Sequence, residues 1–97
     1  MYAVIFRATI NKLDQDYTDT AARLRELAKR KYGCLDFIST LEGQEEIAIS
    51  YWQTMEQIAR WKNDPEHKRA QELGKSKWYN CYQVQIVEIV RQYHNTT

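Results

Sequence analysis

The amino-acid sequence predicts an α+β domain with the ferredoxin-like order βαββαβ, in which helices pack on a four-stranded antiparallel sheet. Three observations lead to this prediction. Strand-like alternation of side chains occurs at both ends of the chain and twice in its middle. Two segments with apolar residues at helical spacing separate these strands. At 97 residues the chain has the length of one domain, which we expect to span residues 1–97.

The first strand is predicted over residues 2–10 and carries apolar side chains on both faces. Such a strand is expected in the middle of a sheet, because both of its faces are covered. Alternation puts Phe6 and Arg7 on opposite faces of this strand. At most one of them can therefore line a pocket, and the sequence does not say which.

The first helix is predicted from Tyr17 to about Gly33, since apolar residues recur there on one helical face. Asp16 or Thr18 is expected to cap its start through a side-chain oxygen. Gly33 stands where a helix end requires a left-handed backbone, which glycine adopts without steric cost.

A β-hairpin is predicted next, with strands over residues 34–42 and 45–52 joined by a tight turn at Gly43. Thr54 and Gln57 then match the capping box that begins a helix. In this motif each of the two side chains accepts a hydrogen bond from the other residue's backbone N–H group. The succession of strand, strand and helix is the middle of the ferredoxin-like plan.

The second helical region is predicted to restart at Asp64 and Pro65 and to stop at Gly74. Asp64 is the expected N-cap, and proline is favourable at the first helical position because its missing N–H would be unpaired there anyway. The last strand is predicted over residues 80–93, where apolar and polar side chains alternate.

Composition excludes several classes of function. The 14 Lys and Arg residues nearly balance the 13 Asp and Glu residues, so the chain lacks the charge typical of proteins that bind nucleic acid or anionic membranes. With no signal-peptide pattern and no apolar run long enough to span a bilayer, we expect a soluble cytoplasmic protein. Cys34 and Cys81 lack partners at metal-ligand spacing, and the three glycines form no phosphate-binding loop. We therefore expect neither a metal nor a nucleotide cofactor.

The helices of a βαββαβ domain cover only one face of its sheet, and here the other face also carries Ile and Val side chains. An apolar surface of this extent is expected to be covered by a partner. A second copy of the chain is the simplest cover. We therefore predict a homodimer that joins through the sheet faces and forms an α+β barrel.

A set of residues in the second half of the chain, rich in tryptophan and tyrosine, carries a family resemblance. Its members are Ile49–Trp52, Ile58, Trp61–Lys62, Asp64–His67, Ala70–Gln71, Gly74, Trp78–Tyr79 and Tyr82. The set resembles the antibiotic biosynthesis monooxygenase superfamily, whose small members are dimeric α+β barrels, and the resemblance in topology covers nearly the whole chain. It implies a monooxygenase that acts without metal or organic cofactor on a small aromatic, quinol-like or polyketide-like substrate. Such a substrate, once deprotonated, can pass an electron to dioxygen.

The resemblance also implies a pocket between the sheet and the helices. His67 would be the general base, because the positive end of the helix dipole near it disfavours protonation of its imidazole. Arg7 would supply the charge that stabilises a substrate anion. The residues expected to bind the substrate are Trp61, Tyr51, Trp52, Phe6, Ile58 and Gln71.

Other interpretations remain open. His67 can instead brace the start of its helix and face water, and Trp61 can belong to the core rather than to a pocket wall. A non-catalytic or stress-related small-molecule-binding dimer would keep the same fold and pocket without the chemistry. Haem degradation is disfavoured, because family members that degrade haem carry a histidine ten positions after the helix tryptophan, where this chain has Gln71.

Overall fold

The computed structural model describes residues 1–95 and confirms the ferredoxin-like order of strands and helices. The elements are β1 (Tyr2–Ile10), α1 (Gln15–Lys31), β2 (Asp36–Glu42), β3 (Glu45–Trp52), α2 (Met55–Lys62), α3 (Pro65–Leu73), a π-helix (Gly74–Trp78) and β4 (Tyr79–Glu88). Residues 96–97 of the predicted domain lie outside the described residues.

The four strands form one antiparallel sheet in the order β2-β3-β1-β4, which places β1 in the middle as its apolar faces predict. The register of the central pair decides which side chains face the helices. Phe6 lies opposite Ala48, and the neighbouring residue Ile5 lies opposite Ile49. Because successive side chains alternate between the faces of a strand, Phe6 and Ala48 share one face of the sheet and Ile5 and Ile49 share the other.

The start of α1 differs from the predicted one. The helix begins at Gln15, and its N-cap is Asp14, whose side chain accepts a hydrogen bond of 2.8 Å from the backbone N–H of Tyr17. Asp16 and Thr18, the predicted caps, both lie inside the helix. Asp14 also accepts a 3.1 Å hydrogen bond from the indole N–H of Trp78. The chosen cap therefore joins the start of α1 to a distant segment, a contact that local sequence cannot reveal.

The other predicted helix signals are confirmed. Thr54 and Gln57 form the capping box of α2, and the Asp64 side chain accepts a 2.8 Å hydrogen bond from the backbone N–H of Glu66 at the start of α3. Gly33 has a φ of +83°, in the left-handed region. The positive φ favours glycine there, and a Cβ atom at Gly33 would also lie 2.6 Å from the side-chain nitrogen of Gln57, which would have to move.

α3 ends at Leu73 with Gly74 as its C-cap, as predicted, but the helical backbone does not stop at Gly74. Its backbone is right-handed helical, and the chain continues through the π-helix to Trp78. A Cβ atom at Gly74 would lie 3.0 Å from the ring of Tyr79, so the glycine serves the close approach of that ring. β4 is shorter than predicted and ends at Glu88, because its partner strand β1 begins at the opposite residue, Tyr2.

The hydrophobic core occupies one end of the space between sheet and helices. Trp52 is its centre, with 0% of its surface exposed. The core comprises Val4, Ala28, Tyr32, Cys34, Trp52, Ile58 and Trp61. Since these residues come from β1, β3, α1, α2 and the α1–β2 connection, they fix the helices on the sheet at this end and leave the rest of the interlayer space for a cavity.

Candidate active site between the sheet and the helices

A cavity of about 440 Å³ lies between the helix-facing side of the sheet and the helices. All four strands, the three α-helices and the π-helix contribute side chains to it. Its walls are mainly aromatic and aliphatic, and a few polar groups interrupt them. A volume in this range and a lining of this kind are typical of sites that bind small organic molecules.

Most of the predicted site residues line this cavity, and the structure brings them together from three separate elements. They are Phe6, Ile58, Trp61, His67 and Gln71. Phe6 therefore lies on the pocket side of β1, which settles the alternative that strand alternation left open.

The placement of Arg7, Tyr51 and Trp52 in the pocket was wrong. Arg7 is exposed on the opposite face of the sheet, beside Ile47 on the neighbouring strand. Tyr51 lies on that same face, because it is one residue removed in β3 from the helix-facing Ser50. Trp52 faces the helices but belongs to the core, where its indole N–H donates a 2.8 Å hydrogen bond to the Ser50 hydroxyl.

Trp61 and His67 form one wall of the cavity. Their ring centroids are 4.3 Å apart with an interplanar angle of 71°, and Trp61 also packs on Trp52 at 5.2 Å and on Phe37 at 6.0 Å. Within residues 1–95, the indole nitrogen of Trp61 and Nδ1 of His67 are the buried side-chain polar atoms that lack a hydrogen-bond partner. A buried polar atom without a partner is costly, so a ligand that gives these two atoms a hydrogen-bond partner would be favoured.

The start of α3 holds His67 in place. Asp64 caps the helix and accepts a 2.5 Å hydrogen bond from the hydroxyl of Tyr32, which ties the cap to the end of α1. Burial lowers the pKa of His67, the Asp64 carboxylate opposes that effect, and the positive charge of Lys62 adds to it. The imidazole is therefore biased toward its neutral form, which can accept a proton.

The burial of His67 predicts a loss of stability in acid. Since the folded protein holds the pKa of His67 below 6.5, the unfolded chain binds the proton more readily. The free energy of unfolding should fall as the pH drops below about 6.5, and this group should contribute nothing above that pH. In urea unfolding, His67→Gln should lose less stability than the wild type between about pH 7.5 and about pH 5.5. Equal losses in the two proteins would contradict the buried, neutral placement.

A second polar group, missed in the sequence, lies elsewhere in the cavity. Glu46 at the start of β3 is only 7% exposed and lines the cavity together with Tyr17 and Tyr79. Both phenol hydroxyls donate hydrogen bonds to its carboxylate, that of Tyr79 at 2.9 Å. The available signal was alternation, since Glu46 is the charged residue in a row that continues with Ala48 and Ser50 on the helix-facing side of β3.

Arg25 of α1 brings a positive charge to the cavity. Its guanidinium lies 5.2 Å from the ring centroid of Phe37 and donates a 2.7 Å hydrogen bond to the Ser39 hydroxyl. It thus occupies the position relative to the pocket that the sequence assigned to Arg7. No group of three or more His, Cys, Asp or Glu side chains in residues 1–95 is arranged to hold a metal ion. No helix in that part of the chain is long and apolar enough to cross a membrane.

Comparisons with known proteins agree with the fold. The model of the antibiotic biosynthesis monooxygenase family matches residues 1–73. YqjZ of Bacillus subtilis, an uncharacterised protein, is 38% identical over 92 residues, which cover 94% of this chain and 81% of that protein.

Two solved structures share the fold at low sequence identity. SnoaB, a cofactor-independent oxygenase from Streptomyces nogalater, superposes with a TM-score of 0.77 at 12% identity, over 94% of each chain. Rv0793 from Mycobacterium tuberculosis superposes with a TM-score of 0.81 at 10% identity, over 96% of this chain and 98% of that one. The family match and the relative together show that the chain belongs to the antibiotic biosynthesis monooxygenase family.

Proposed function

We propose that this protein is a cofactor-independent monooxygenase that oxidises a small aromatic, quinol-like or polyketide-like compound in the cavity between its sheet and its helices. The observation that carries the proposal is the pair of unpartnered buried atoms on Trp61 and His67. One is a hydrogen-bond donor, and the other can accept a proton. A phenolic or enolic oxygen placed between them would satisfy both.

His67 is the proposed base. With its proton on Nε2, Nδ1 is free to accept the proton of a substrate hydroxyl or of an acidic C–H group. The indole N–H of Trp61 would donate to the oxygen on which negative charge develops, and Arg25 at the cavity wall would stabilise the anion. These roles place the positive charge near the substrate on Arg25 rather than on Arg7.

The reaction balances without a further oxidant or reductant. The deprotonated, electron-rich substrate gives an electron to dioxygen, and the two radicals combine to a peroxide at a ring-activated carbon. That carbon starts as a CH₂ group and ends as a carbonyl. One oxygen atom of dioxygen enters the product, and the other leaves as water with the two hydrogens of the CH₂ group. The aromatic and aliphatic walls formed by Phe6, Phe37 and Val84 favour the substrate over water and limit side reactions of the peroxide.

Dioxygen consumption with a panel of hydroxylated aromatics tests the proposal. The panel should include hydroquinones, naphthols and tricyclic anthrone-type compounds, with ligand binding followed in parallel by tryptophan fluorescence. Enzyme-dependent consumption of one dioxygen per carbonyl formed would support a monooxygenase. Saturable binding of these compounds with no consumption above the spontaneous rate would instead identify a non-catalytic binding protein.

The sheet face away from the cavity is the proposed dimer interface. By register, Ile38, Ile49 and Ile5 form a row across three adjacent strands of this face, and Ile38 is 52% exposed. Arg7 and Tyr51 lie on the same face. A second copy of the chain, packed sheet to sheet, would bury this row and complete the barrel.

A charge in the middle of that row should break the dimer. We expect wild-type protein to have the mass of a dimer in analytical ultracentrifugation. Ile49→Lys should shift it to the monomer mass, because a buried lysine without a partner is strongly unfavourable. Lys12→Glu, at an exposed residue outside the sheet, is the control and should remain dimeric. A monomeric wild-type protein would contradict the proposed interface.

A further inference from the structure

The Glu46 carboxylate is buried in the cavity wall, and only part of its capacity to accept hydrogen bonds is used. Each of its oxygens accepts one phenol hydroxyl, Oε1 from Tyr17 and Oε2 from Tyr79. An ionised carboxylate can accept about four hydrogen bonds, so acceptor capacity is left over. Burial raises the pKa of the Tyr79 phenol, and the nearby Glu46 carboxylate raises it further. Tyr79 therefore stays protonated and donates its hydrogen bond to Glu46.

The Glu46 carboxylate forms no ion pair with a basic side chain of residues 1–95. The ion pairs formed within residues 1–95 involve Asp14, Asp16, Glu26, Asp64 and Glu66, and none involves Glu46. Burial accordingly raises the pKa of Glu46, and the hydrogen bond from Tyr79 offsets this only in part. A buried carboxylate that stays ionised is ordinarily paired with a cation, so a cationic ligand would favour the ionised form of Glu46.

Aromatic rings surround the place where that charge would sit. The ring of Phe6 packs at 5.4 Å from Tyr79 and at 5.7 Å from Tyr82, and Trp78 packs edge-on against Tyr17 at 5.3 Å. All five rings line the cavity. Aromatic faces attract ammonium groups, and they do so more strongly when water is excluded.

Glu46 is separated from the Trp61–His67 wall along the sheet. It lies six residues before Trp52, on which Trp61 packs, and this is an extended span of roughly 20 Å along β3. The cavity reaches both places. A small ligand can therefore bind at one of these places without reaching the other, and the two can be tested separately.

We propose that Glu46, with Tyr17 and Tyr79, is a subsite for a protonated amino group, and that the ligand of this cavity is an aromatic compound carrying an amine. The carboxylate would supply the counter-charge, and the aromatic rings would supply faces for the ammonium group. The claim that the substrate carries an amino group rests on the proposed function. The claim that the cavity binds an amine does not depend on turnover and is tested by binding alone.

The test compares two probes of matched shape, 2-(2-naphthyl)ethylamine and 2-(2-naphthyl)ethanol, by calorimetry at about pH 7.5. The wild type should bind the amine on the order of tenfold more tightly than the alcohol. In Glu46→Gln the ratio should fall to about one, because the amide removes the charge and keeps the shape. Glu45→Gln is the matched control, since Glu45 is the adjacent, exposed residue, and it should keep the wild-type ratio.

Equal affinity of the wild type for the amine and the alcohol would overturn the proposal, and so would a preserved preference in Glu46→Gln. Binding of 2-naphthol, which lacks an amine, shows whether the cavity of Glu46→Gln is intact. If Glu46→Gln does not fold, the ratio of amine to alcohol affinity in the wild type still tests the proposal. Tyr79→Phe should lower that ratio, because it removes a hydrogen bond that positions the Glu46 carboxylate. Amine preference without any dioxygen consumption would contradict the proposed monooxygenase and leave the subsite standing.

Discussion

Replacing His67 by Ala should lower the rate of substrate oxidation by about 100-fold or more while ligand affinity changes only a few-fold. The reason is that the variant loses the atom that takes the substrate proton, Nδ1, but keeps the aromatic wall formed by Trp61 and Phe37. Steady-state dioxygen consumption gives the rate, and quenching of tryptophan fluorescence gives the affinity. The loss should therefore appear in kcat and leave the dissociation constant nearly unchanged.

His94→Ala is the control for this change, because His94 follows the end of β4 and is not one of the residues that line the cavity. It should retain the wild-type rate. A rate for His67→Ala within a few-fold of the wild type would exclude His67 as the base. In that case Glu46, a buried carboxylate in the cavity wall, would be the next residue to replace.

Replacing Trp52 by Ala should destabilise the protein by about 3–5 kcal/mol, the largest stability effect that we expect in this chain. Trp52 is fully buried, packs on Trp61 at 5.2 Å and donates a hydrogen bond to Ser50. Truncation leaves a cavity and an unpaired hydroxyl in the core. Urea unfolding followed by far-UV circular dichroism measures the difference in the free energy of unfolding.

Two further variants show whether the loss of stability comes from the buried position of Trp52 or from the removal of any aromatic side chain. Trp52→Phe should lose less than Trp52→Ala, because it refills most of the volume and loses only the indole hydrogen bond. Tyr93→Ala should change stability by less than about 0.5 kcal/mol, since Tyr93 is 82% exposed. If Trp52→Ala were as stable as the wild type, Trp52 would not be the centre of the core.

The fold could be predicted from the sequence because its signals are local and periodic. Alternation located all four strands, and the capping box at Thr54 and the Asp64–Pro65 start located two helices. The ends of the elements were less predictable. The cap of α1 is Asp14 rather than Asp16, and Asp14 also accepts a hydrogen bond from Trp78. β4 ends opposite Tyr2, the first residue of its partner strand β1.

The candidate site could be predicted only in part, because a pocket depends on which face of each strand the helices cover. Trp61, His67 and Gln71 lie on helices that face the sheet, and the family resemblance implied their place in the pocket. β1 is apolar on both faces, so the sequence could not choose between Phe6 and Arg7. The positive charges at the cavity come instead from the helices that cover the sheet, on Arg25 and Lys62.

Glu46 was overlooked for a related reason. A glutamate at the start of a strand, next to a turn and to another glutamate, usually faces water. Its burial here depends on Tyr17 of α1 and Tyr79 of β4, which lie 29 and 33 residues away in sequence. The approach of Tyr79 in turn requires a glycine at position 74. Contacts of this range become visible only in the folded chain.

The central claim is that the cavity between the sheet and the helices binds an aromatic substrate at Trp61 and His67. A crystal structure of the protein soaked with hydroxylated aromatics, with and without an amino group, tests it most directly. We expect a ring packed against Trp61, with an oxygen about 2.6–3.2 Å from Nδ1 of His67. A cavity filled by side chains, or ligands bound only outside it, would contradict the claim and leave Trp61 and His67 as parts of the core.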